Sequence, residues 1–313
     1  MRGIVATALF GLLAVALGCA RDGGTPLPAL DPAPLLADVA YLASDELEGR
    51  QAGSAGGAAA RAFVLERFRR LRLEPAFDGY LMPFLYERDG EVVEGVNAVA
   101  KLRGTDPALA DRWFVVSAHY DHLGVRGGLV FNGADDNASG VAALLAIAAD
   151  LAEQPLRRPV LFAAFDAEED GQWGARALVD APPVALEHLV LAVNLDMLGR
   201  DDGGALWAAG THHHAWLRPP LERAARRAAV ALRFGHDRPD EPDDWTFDSD
   251  HAAFHAAGIP FVYFGVEGHA DYHRPTDDAE RIDAEFLAGA TALVLRALRE
   301  LDTELPSGPA RPS

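Results

Sequence analysis

The chain has 313 residues, of which 50% are hydrophobic and 24% are charged, a composition typical of one globular α/β domain rather than two. Its 47 acidic residues outnumber the 28 basic residues, and the formal net charge is −19. No Lys/Arg-rich tract offsets this charge, so binding to nucleic acid, whose backbone is also negative, is not expected.

Residues 1–19 predict an export signal. A single arginine precedes an apolar run from Ile4 to Leu17, which is too short to span a bilayer comfortably. The run ends at Cys19, the only cysteine, in a position that resembles the lipobox of bacterial lipoproteins, although Ala16 stands where that motif prefers leucine. We expect a lipid on Cys19 to hold the protein in the periplasm or at the cell surface, with ordinary signal cleavage as the alternative. This anchor would be its only membrane contact.

The rest of the sequence predicts one domain between two segments that are poor in core residues. Residues 20–34 are rich in Pro and Gly and predict a flexible tether, and residues 303–313 predict a disordered tail. Residues 35–302 contain no internal repeat and predict a single domain.

Within this domain, apolar runs typical of buried strands alternate with segments of helical composition. The strand candidates are WFVVSA, PVLFAAF, HLVLAVNL and IPFVYFG. The helix candidates are AAARAFVLERFRRL, SGVAALLAIAADLAE, LRPPLERAARRAAVAL and AEFLAGATALVLRALRELD. This alternation predicts a three-layer α/β sandwich whose central sheet is mostly parallel and doubly wound.

Side chains that can bind a metal follow each strand candidate. In chain order these are His119, the pair Glu168 and Glu169, Asp196 and His273, while Asp135 and Asp136 stand just before SGVAALLAIAADLAE. Each has a plainer structural explanation when taken alone: an aspartate can cap a helix, an acidic pair can favour a first helical turn, and a lone strand-end histidine is usually structural. Because ligands bind beyond the carboxyl ends of the strands in open α/β sheets, we expect these side chains to converge there.

Such a cluster would need a cation from outside. Carboxylates gathered at one sheet edge repel one another, and the sequence shows no Lys/Arg cluster to neutralise them. Imidazole and carboxylate ligands without a thiolate favour zinc or a similar first-row ion over calcium. Two such ions would outweigh the carboxylates of Asp136, Glu169 and Asp196 by one charge, which would lower the pKa of a bridging water and favour hydrolysis.

Five motifs, AHYDHLG, GADDNASG, DAEEDGQWGA, NLDMLGR and DYHRPTDD, occur in this order, and together they resemble the co-catalytic zinc peptidases of peptidase family M-28. The resemblance extends from about residue 44 to the C-terminal helix and implies the zinc-exopeptidase type of fold. It implies that two Zn²⁺ ions are held by His119, Asp136, Glu169, Asp196 and His273. Asp136 would bridge the ions and precede a cis peptide bond. Glu168 would be the general base. It would take a proton from the metal-bridging water, leaving a hydroxide nucleophile, and pass that proton to the departing amine.

Two further residues are candidates for supporting roles. Asp121 lies two residues after His119, so on an extended backbone both side chains face the same way and the carboxylate could orient the imidazole. Tyr272 precedes His273 and resembles a tyrosine that helps stabilise the oxyanion in some family members, with plain packing as the alternative.

The sequence favours an aminopeptidase that releases N-terminal residues from peptide substrates. A carboxypeptidase or dipeptidase of the same fold remains an alternative, and it would need a basic pocket supplied by Arg200, Arg274 or Arg126. A glutaminyl cyclase using one zinc ion is less favoured, because cyclases have lost part of the ligand set. A non-catalytic receptor-like or scaffolding domain is least favoured, since no ligand is missing.

Overall fold

The computed structural model describes residues 30–200, 202–240 and 243–305. The predicted signal, the lipobox at Cys19, most of the tether and residues 306–313 lie outside the described residues. Within the described ranges, no helix combines the length and apolar character needed to cross a membrane.

The described residues form seven α-helices and eleven β-strands. The helices are α1 (Pro32–Leu42), α2 (Ala55–Arg70), α3 (Gly140–Glu153), α4 (Trp173–Asp180), α5 (Arg218–Ala225), α6 (His251–Ala256) and α7 (Ala284–Glu304). The strands are β1 (Glu74–Pro75), β2 (Leu81–Arg88), β3 (Glu91–Leu102), β4 (Trp113–His119), β5 (Gly124–Arg126), β6 (Leu129–Phe131), β7 (Val160–Phe165), β8 (Leu189–Leu195), β9 (Leu206–Ala209), β10 (Leu232–Phe234) and β11 (Phe261–Gly265).

Nine strands make one sheet in the order β1-β3-β7-β4-β8-β11-β9-β10, with β2 also paired to β3. The central strands β7, β4, β8 and β11 are mutually parallel and are the four strand candidates of the sequence. The outer strands β1, β2, β3 and β9 make antiparallel pairs. The parallel centre brings four carboxyl ends to one edge of the sheet.

Helices cover both faces of the sheet, which confirms the predicted three-layer α/β sandwich. Phe114 and Val116 of β4 pack into a core with α1, α2, α3, α5 and α7, whereas Val115 faces the opposite core with α4 and α6. This alternation is the period of two expected of a strand that is buried on both sides. Helix α3 lies in the larger core and is buried over Gly140–Leu145, as its uniformly apolar sequence predicts.

Two parts of the sheet differ from the sequence prediction. The predicted helix over residues 217–232 ends at Ala225, because Arg227 has a φ of 63° and the chain turns to form β10 beside β9. Val230 then packs against Gly289 of α7, where a Cβ atom would lie 2.6 Å from the valine side chain. The sequence does not predict the β2–β3 hairpin, because β2 is a largely exposed edge strand without a continuous apolar run.

The boundaries of the folded domain also need correction. The predicted tether ended at residue 34, but α1 begins at Pro32, where the Asp31 side chain accepts a hydrogen bond from the Ala33 backbone N–H as an N-cap. The predicted domain ended at residue 302, but α7 continues to Glu304. The backbone carbonyl of the buried Leu305 accepts a hydrogen bond from Arg158, which ties this end of the chain to the core.

Candidate metal centre

Six side chains that could bind metal meet beyond the carboxyl ends of the central strands. We call them the ligand cluster: His119, His122, Asp136, Glu169, Asp196 and His273. His119 ends β4, Glu169 follows β7, Asp196 follows β8, and His273 lies in the loop after β11. The structure therefore brings together all five residues that the family resemblance implies, and adds His122.

His119 joins two carboxylates on one side of the cluster. Its Nε2 atom lies 3.2 Å from Asp196 Oδ1 and 3.4 Å from Asp136 Oδ1. These three side chains could hold one metal ion, and all three are buried. Ser249 donates a hydrogen bond of 2.6 Å to the other oxygen of Asp196, which leaves Oδ1 turned toward His119.

Asp136 also faces the other side of the cluster. Its Oδ2 atom lies 3.0 Å from His273 Nε2, and the same nitrogen lies 3.4 Å from Glu169 Oε2. The two oxygens of Asp136 therefore point toward different histidines. This is the geometry required of a carboxylate that bridges two ions.

His122 is the residue that the sequence analysis missed. Its Nδ1 atom lies 2.6 Å from Glu169 Oε1 and 3.8 Å from Asp136 Oδ2, and His122, Asp136 and Glu169 form a second group that could hold a metal ion. The available signal was the second histidine of AHYDHLG, three residues after His119.

The turn before α3 determines which of the two adjacent aspartates faces the cluster. The Asp277 carboxylate accepts hydrogen bonds from the backbone N–H groups of Asp135 and Asp136, both at 3.1 Å. The peptide bond between Asp136 and Asn137 is cis, as the resemblance implies. Gly133 opens the turn with a φ of 57°, and a Cβ atom there would lie 2.5 Å from the His122 ring. Asp136 consequently points into the cluster.

Asp135 points away from the cluster and is fully hydrogen-bonded. Its Oδ1 atom accepts bonds from the Ser139 hydroxyl at 2.9 Å and from the Gly199 N–H at 2.6 Å. Its Oδ2 atom lies 3.2 Å from His269 Nε2, in the loop that carries His273. Asp135 therefore links the turn to two other loops of the site.

Asp121 contacts the cluster differently from the prediction. The closest Asp121 oxygen to His119 Nδ1 is its backbone carbonyl, at 3.2 Å, whereas its carboxylate is 3.8 Å away. The carboxylate instead accepts the backbone N–H groups of Glu168 and Glu169 at 3.1 and 3.3 Å. Asp121 thus positions the segment that carries the predicted base and one predicted ligand.

The electrostatics of the cluster follow from burying so many acids together. Burial raises the pKa of Glu168 well above its usual value, opposed by His119 and reinforced by Asp250, Asp196 and Glu169. Burial would also raise the pKa of Asp136, but hydrogen bonds with His119 and His273 hold it well below the usual range.

Arg50 supplies a buried positive charge that the sequence analysis did not anticipate. Its guanidinium donates hydrogen bonds to the backbone carbonyls of Tyr120 and Gly133, both at 2.9 Å, and to those of Leu42 and Asn132. Burial lowers the pKa of Arg50 to about 10, and Asp136, Asp121, Asp277 and Glu169 oppose that shift. Arg50 remains charged at neutral pH and holds the backbone at Tyr120, next to His119, and at Gly133, which opens the turn to Asp136.

A cavity of about 460 Å³ opens directly above the cluster. Its polar lining includes Glu168 and the carboxylates of Asp243 and Asp248, and its aromatic lining includes Trp245 and Tyr272. Tyr272 stacks on His273 with ring centroids 4.0 Å apart and is 42% exposed, so its hydroxyl is available to a bound molecule.

The ligand types and the unsatisfied atoms of the cluster fit zinc. Imidazole nitrogens and carboxylate oxygens are ligands that zinc accepts, and the described residues offer no thiolate. Glu169 Oε1 and both ring nitrogens of His122 are buried without a hydrogen bond of acceptable geometry, as expected where a cation completes a site. Fold and cluster together define an α/β metalloprotein with its ligands at the carboxyl edge of the sheet.

Comparison with known sequences places this protein within a family. Peptidase family M-28 matches residues 97–298, which is more than half of the chain. The chain therefore belongs to peptidase family M-28.

Two curated relatives carry peptidase names. "Aminopeptidase YwaD" of Bacillus subtilis is 31% identical over 59% of this chain and 40% of its own length. "Probable lipoprotein aminopeptidase LpqL" of Mycobacterium tuberculosis is 30% identical over 56% of this chain and 41% of its own length. The aligned regions thus span about two fifths of the length of these relatives.

Solved structures share the fold over most of the chain. The structure of BSAP, a zinc aminopeptidase from Bacillus subtilis, covers 88% of this chain and 96% of its own, with a TM-score of 0.69 and 18% identity. The match to the structure of the glutaminyl cyclase of Porphyromonas gingivalis covers 88% of this chain and 99% of the cyclase chain, with a TM-score of 0.70 and 20% identity. At these identities the likeness shows the fold alone.

Proposed function

We propose that this protein is a di-zinc aminopeptidase that removes N-terminal residues from peptides. The observation that carries the proposal is the ligand cluster at the floor of an acidic, aromatic cavity, with Asp136 directed toward histidines on both sides. Membership of peptidase family M-28 and the names of the curated relatives support the same activity.

The lining of the cavity favours an aminopeptidase over a carboxypeptidase. Asp243 and Asp248 add negative charge beside the cluster, and no lysine or arginine contributes to the lining among the residues that the structure describes. An acidic cavity attracts the ammonium group of a peptide N-terminus and repels a C-terminal carboxylate. The substrate's N-terminal residue would therefore lie in this cavity.

Two of the three arginines that a carboxypeptidase could use, Arg200 and Arg126, are engaged in other contacts. Arg200 forms ion pairs of 2.9 Å with Asp271 and with Asp202. Arg126 donates a hydrogen bond to the Leu123 carbonyl. For a one-zinc cyclase, the presence of both His119 and His273 in the cluster is unfavourable, since these residues form the two sides of a two-ion site.

Zinc at this cluster would act as a Lewis acid toward the substrate carbonyl and toward water. Glu168, which lines the cavity next to the ligand Glu169, accepts the proton of the attacking water and donates it to the leaving amine nitrogen. Its raised pKa makes Glu168 a stronger proton acceptor than an exposed carboxylate, which suits a group that must take up a proton and later release it. Tyr272 donates its hydroxyl proton as a hydrogen bond to the developing oxyanion.

A hydrolysis assay with blocked peptides tests the activity. The protein starting after Cys19 is incubated with one peptide series in three forms: unblocked, N-acetylated and C-amidated. We expect release of the first residue from the unblocked and amidated forms only, loss of activity with a zinc chelator, and recovery on adding zinc. A Glu168→Gln preparation controls for contaminating peptidases. Cleavage that survives acetylation but stops on amidation would replace this proposal with a carboxypeptidase, and no hydrolysis by zinc-loaded protein would overturn it.

We also propose that the chain is exported and anchored by a lipid on Cys19. The apolar run that ends at Cys19 supports this, as does the similarity to a protein named as a lipoprotein aminopeptidase. Growth of a bacterial host expressing the full chain with a labelled fatty acid should label the wild-type protein and leave Cys19→Ser unlabelled. An unlabelled wild-type protein in the periplasm or medium would instead support ordinary signal cleavage.

A further inference from the structure

The side of the cluster that contains Glu169 has two histidines within reach, although the family resemblance implies only one. Glu169 Oε1 lies 2.6 Å from His122 Nδ1, and Glu169 Oε2 lies 3.4 Å from His273 Nε2. The two imidazole rings are 5.9 Å apart between centroids and meet at 61°, so they approach the carboxylate from different directions.

The environment of His122 is that of a ligand rather than of a packed core residue. Its side chain is completely buried, and its ring rests against Gly133, where only a glycine leaves room for it. Neither ring nitrogen makes a hydrogen bond of acceptable geometry, and the same is true of Glu169 Oε1. A buried imidazole and a buried carboxylate oxygen therefore face each other at short distance without a bond that satisfies either.

We propose that His122 Nδ1 is a direct ligand of the metal ion held by Asp136, Glu169 and His273. This inference rests on the proposed function, in which two ions occupy the cluster. A cation bonded to both His122 Nδ1 and Glu169 Oε1 would satisfy both atoms, whereas a misaligned hydrogen bond between them would not. The proton of the neutral imidazole ring then stays on Nε2.

The consequence is that the two ion positions differ in their number of protein ligands. The position at His119, Asp136 and Asp196 has three, which leaves room for water and substrate. The position at Asp136, Glu169, His273 and His122 has four. The four-ligand position should therefore bind zinc more tightly, and the three-ligand position should lose its ion first to a chelator.

Metal titration of metal-free protein tests this ligation. The variants are His122→Ala and His122→Asn, because the asparagine amide can still donate a hydrogen bond to Glu169 but its nitrogen cannot bind zinc. His214→Asn is the matched control, since His214 also has a buried ring nitrogen without a hydrogen bond, but its ring lies against Phe261 and outside the ligand cluster. Metal content is measured after dialysis against graded chelator, and cobalt absorption spectra report the ligands at each position.

We expect the zinc affinity of one of the two ion positions to fall by more than about 100-fold in both His122 variants. Such a fall exceeds the loss of affinity that is typical when a residue only orients a ligand. The cobalt spectrum of the four-ligand position should change in both variants, and His214→Asn should match wild type. Normal affinity in His122→Asn, or an unchanged cobalt spectrum, would show that His122 only orients Glu169 and would overturn the proposal.

A measurement on the wild-type protein covers the case in which the variants do not fold. In ¹⁵N spectra of histidine side chains, direct zinc binding shifts the bonded nitrogen. The proposal requires three zinc-bound imidazoles, from His119, His122 and His273, and two would overturn it. If wild-type protein takes up two ions and is an active aminopeptidase while His122 is unbound, only this inference fails. If wild-type protein takes up no zinc, the proposed function fails as well.

Discussion

Asp135 and Asp136 are neighbours in sequence, but the fold uses them in opposite ways. Asp135 belongs to a supporting network, defined here as Asp135, Ser139, His269, Asp277 and Arg50, in which every carboxylate meets hydrogen-bond donors. Asp136 belongs to the ligand cluster, where its oxygens face only histidines and other carboxylates are close by. The first arrangement is complete without a metal ion, and the second is not.

The comparison shows how a folded chain can hold an unfavourable group of charges. The supporting network fixes the backbone of the turn through Asp277 and Arg50, so that Asp136 has no freedom to turn away from the other acids. The stability that the network contributes offsets the repulsion within the cluster before metal binds. The following variants test this division, starting with the largest expected effect.

Separate substitutions of Asp135 and Asp136 by asparagine should distinguish the supporting role from the metal-binding role most strongly. Asp136→Asn removes the carboxylate shared by both ion positions, so we expect loss of bound zinc and a fall in kcat/KM of at least about 10³-fold. Asp135→Asn should keep both ions and instead lose about 1–3 kcal/mol of unfolding free energy, because the amide cannot accept all three contacts. Metal analysis and denaturant unfolding measure the two effects, and the opposite pattern would reverse the assignment.

Replacing Glu168 tests the proposed general base, which lies next to the ligand Glu169 but does not need to bind metal itself. We expect Glu168→Gln to lower kcat by about 10²–10⁴-fold while the bound zinc and the KM change little. Glu168→Asp, which keeps a carboxylate on a shorter side chain, should retain more activity than the glutamine variant. The proton-transfer role is wrong if Glu168→Gln loses zinc in proportion to its activity.

Arg50 tests the supporting network itself. Arg50→Met leaves several buried backbone carbonyls without donors, so we expect a loss of about 3–5 kcal/mol in the unfolding free energy of the metal-free protein. Arg103→Met is the control, since the Arg103–Glu74 ion pair is largely exposed and screened by water, so its loss should lower the unfolding free energy much less. Denaturant titration provides both values, and equal losses in the two variants would contradict the role given to Arg50.

The pH dependence of zinc binding distinguishes the ligand His119 from His269, which also has a raised pKa. Burial lowers the pKa of His119, but Asp196, Glu168 and Asp136 raise it well above the usual value, so the metal-free cluster holds a proton on His119. Zinc at the His119 position must displace this proton, and the affinity of that position should rise with pH by about tenfold per unit until His119 is deprotonated.

His269 provides the comparison within the supporting network. Burial lowers its pKa, but the contact with Asp135 raises it, and this pair is not broken by zinc. His269→Gln should therefore leave the pH slope of zinc binding unchanged. Calorimetry in buffers of different ionisation enthalpy counts the released protons, and a slope that is lost in His269→Gln would contradict the assignment to His119.

Much of the fold could be predicted because its strands and helices carry strong local signals. The four apolar runs became the parallel centre of the sheet, and SGVAALLAIAADLAE became the buried helix α3. The β2–β3 hairpin and the short α5 could not be predicted in this way. An exposed edge strand lacks a continuous apolar run, and the end of α5 depends on how Val230 packs against α7.

By itself, the sequence determined the residue types of the site and the order in which they follow the strands, because parallel strands always deliver their carboxyl ends to one edge. The resemblance to peptidase family M-28 then singled out His119, Asp136, Glu169, Asp196 and His273 among these candidates before any coordinate was known. Only the tertiary structure decided the directions of the side chains, since these depend on contacts between residues far apart in sequence. Asp277 and Arg50 orient the Asp136 turn, two backbone N–H groups redirect Asp121, and Gly133 makes room for His122 beside Glu169.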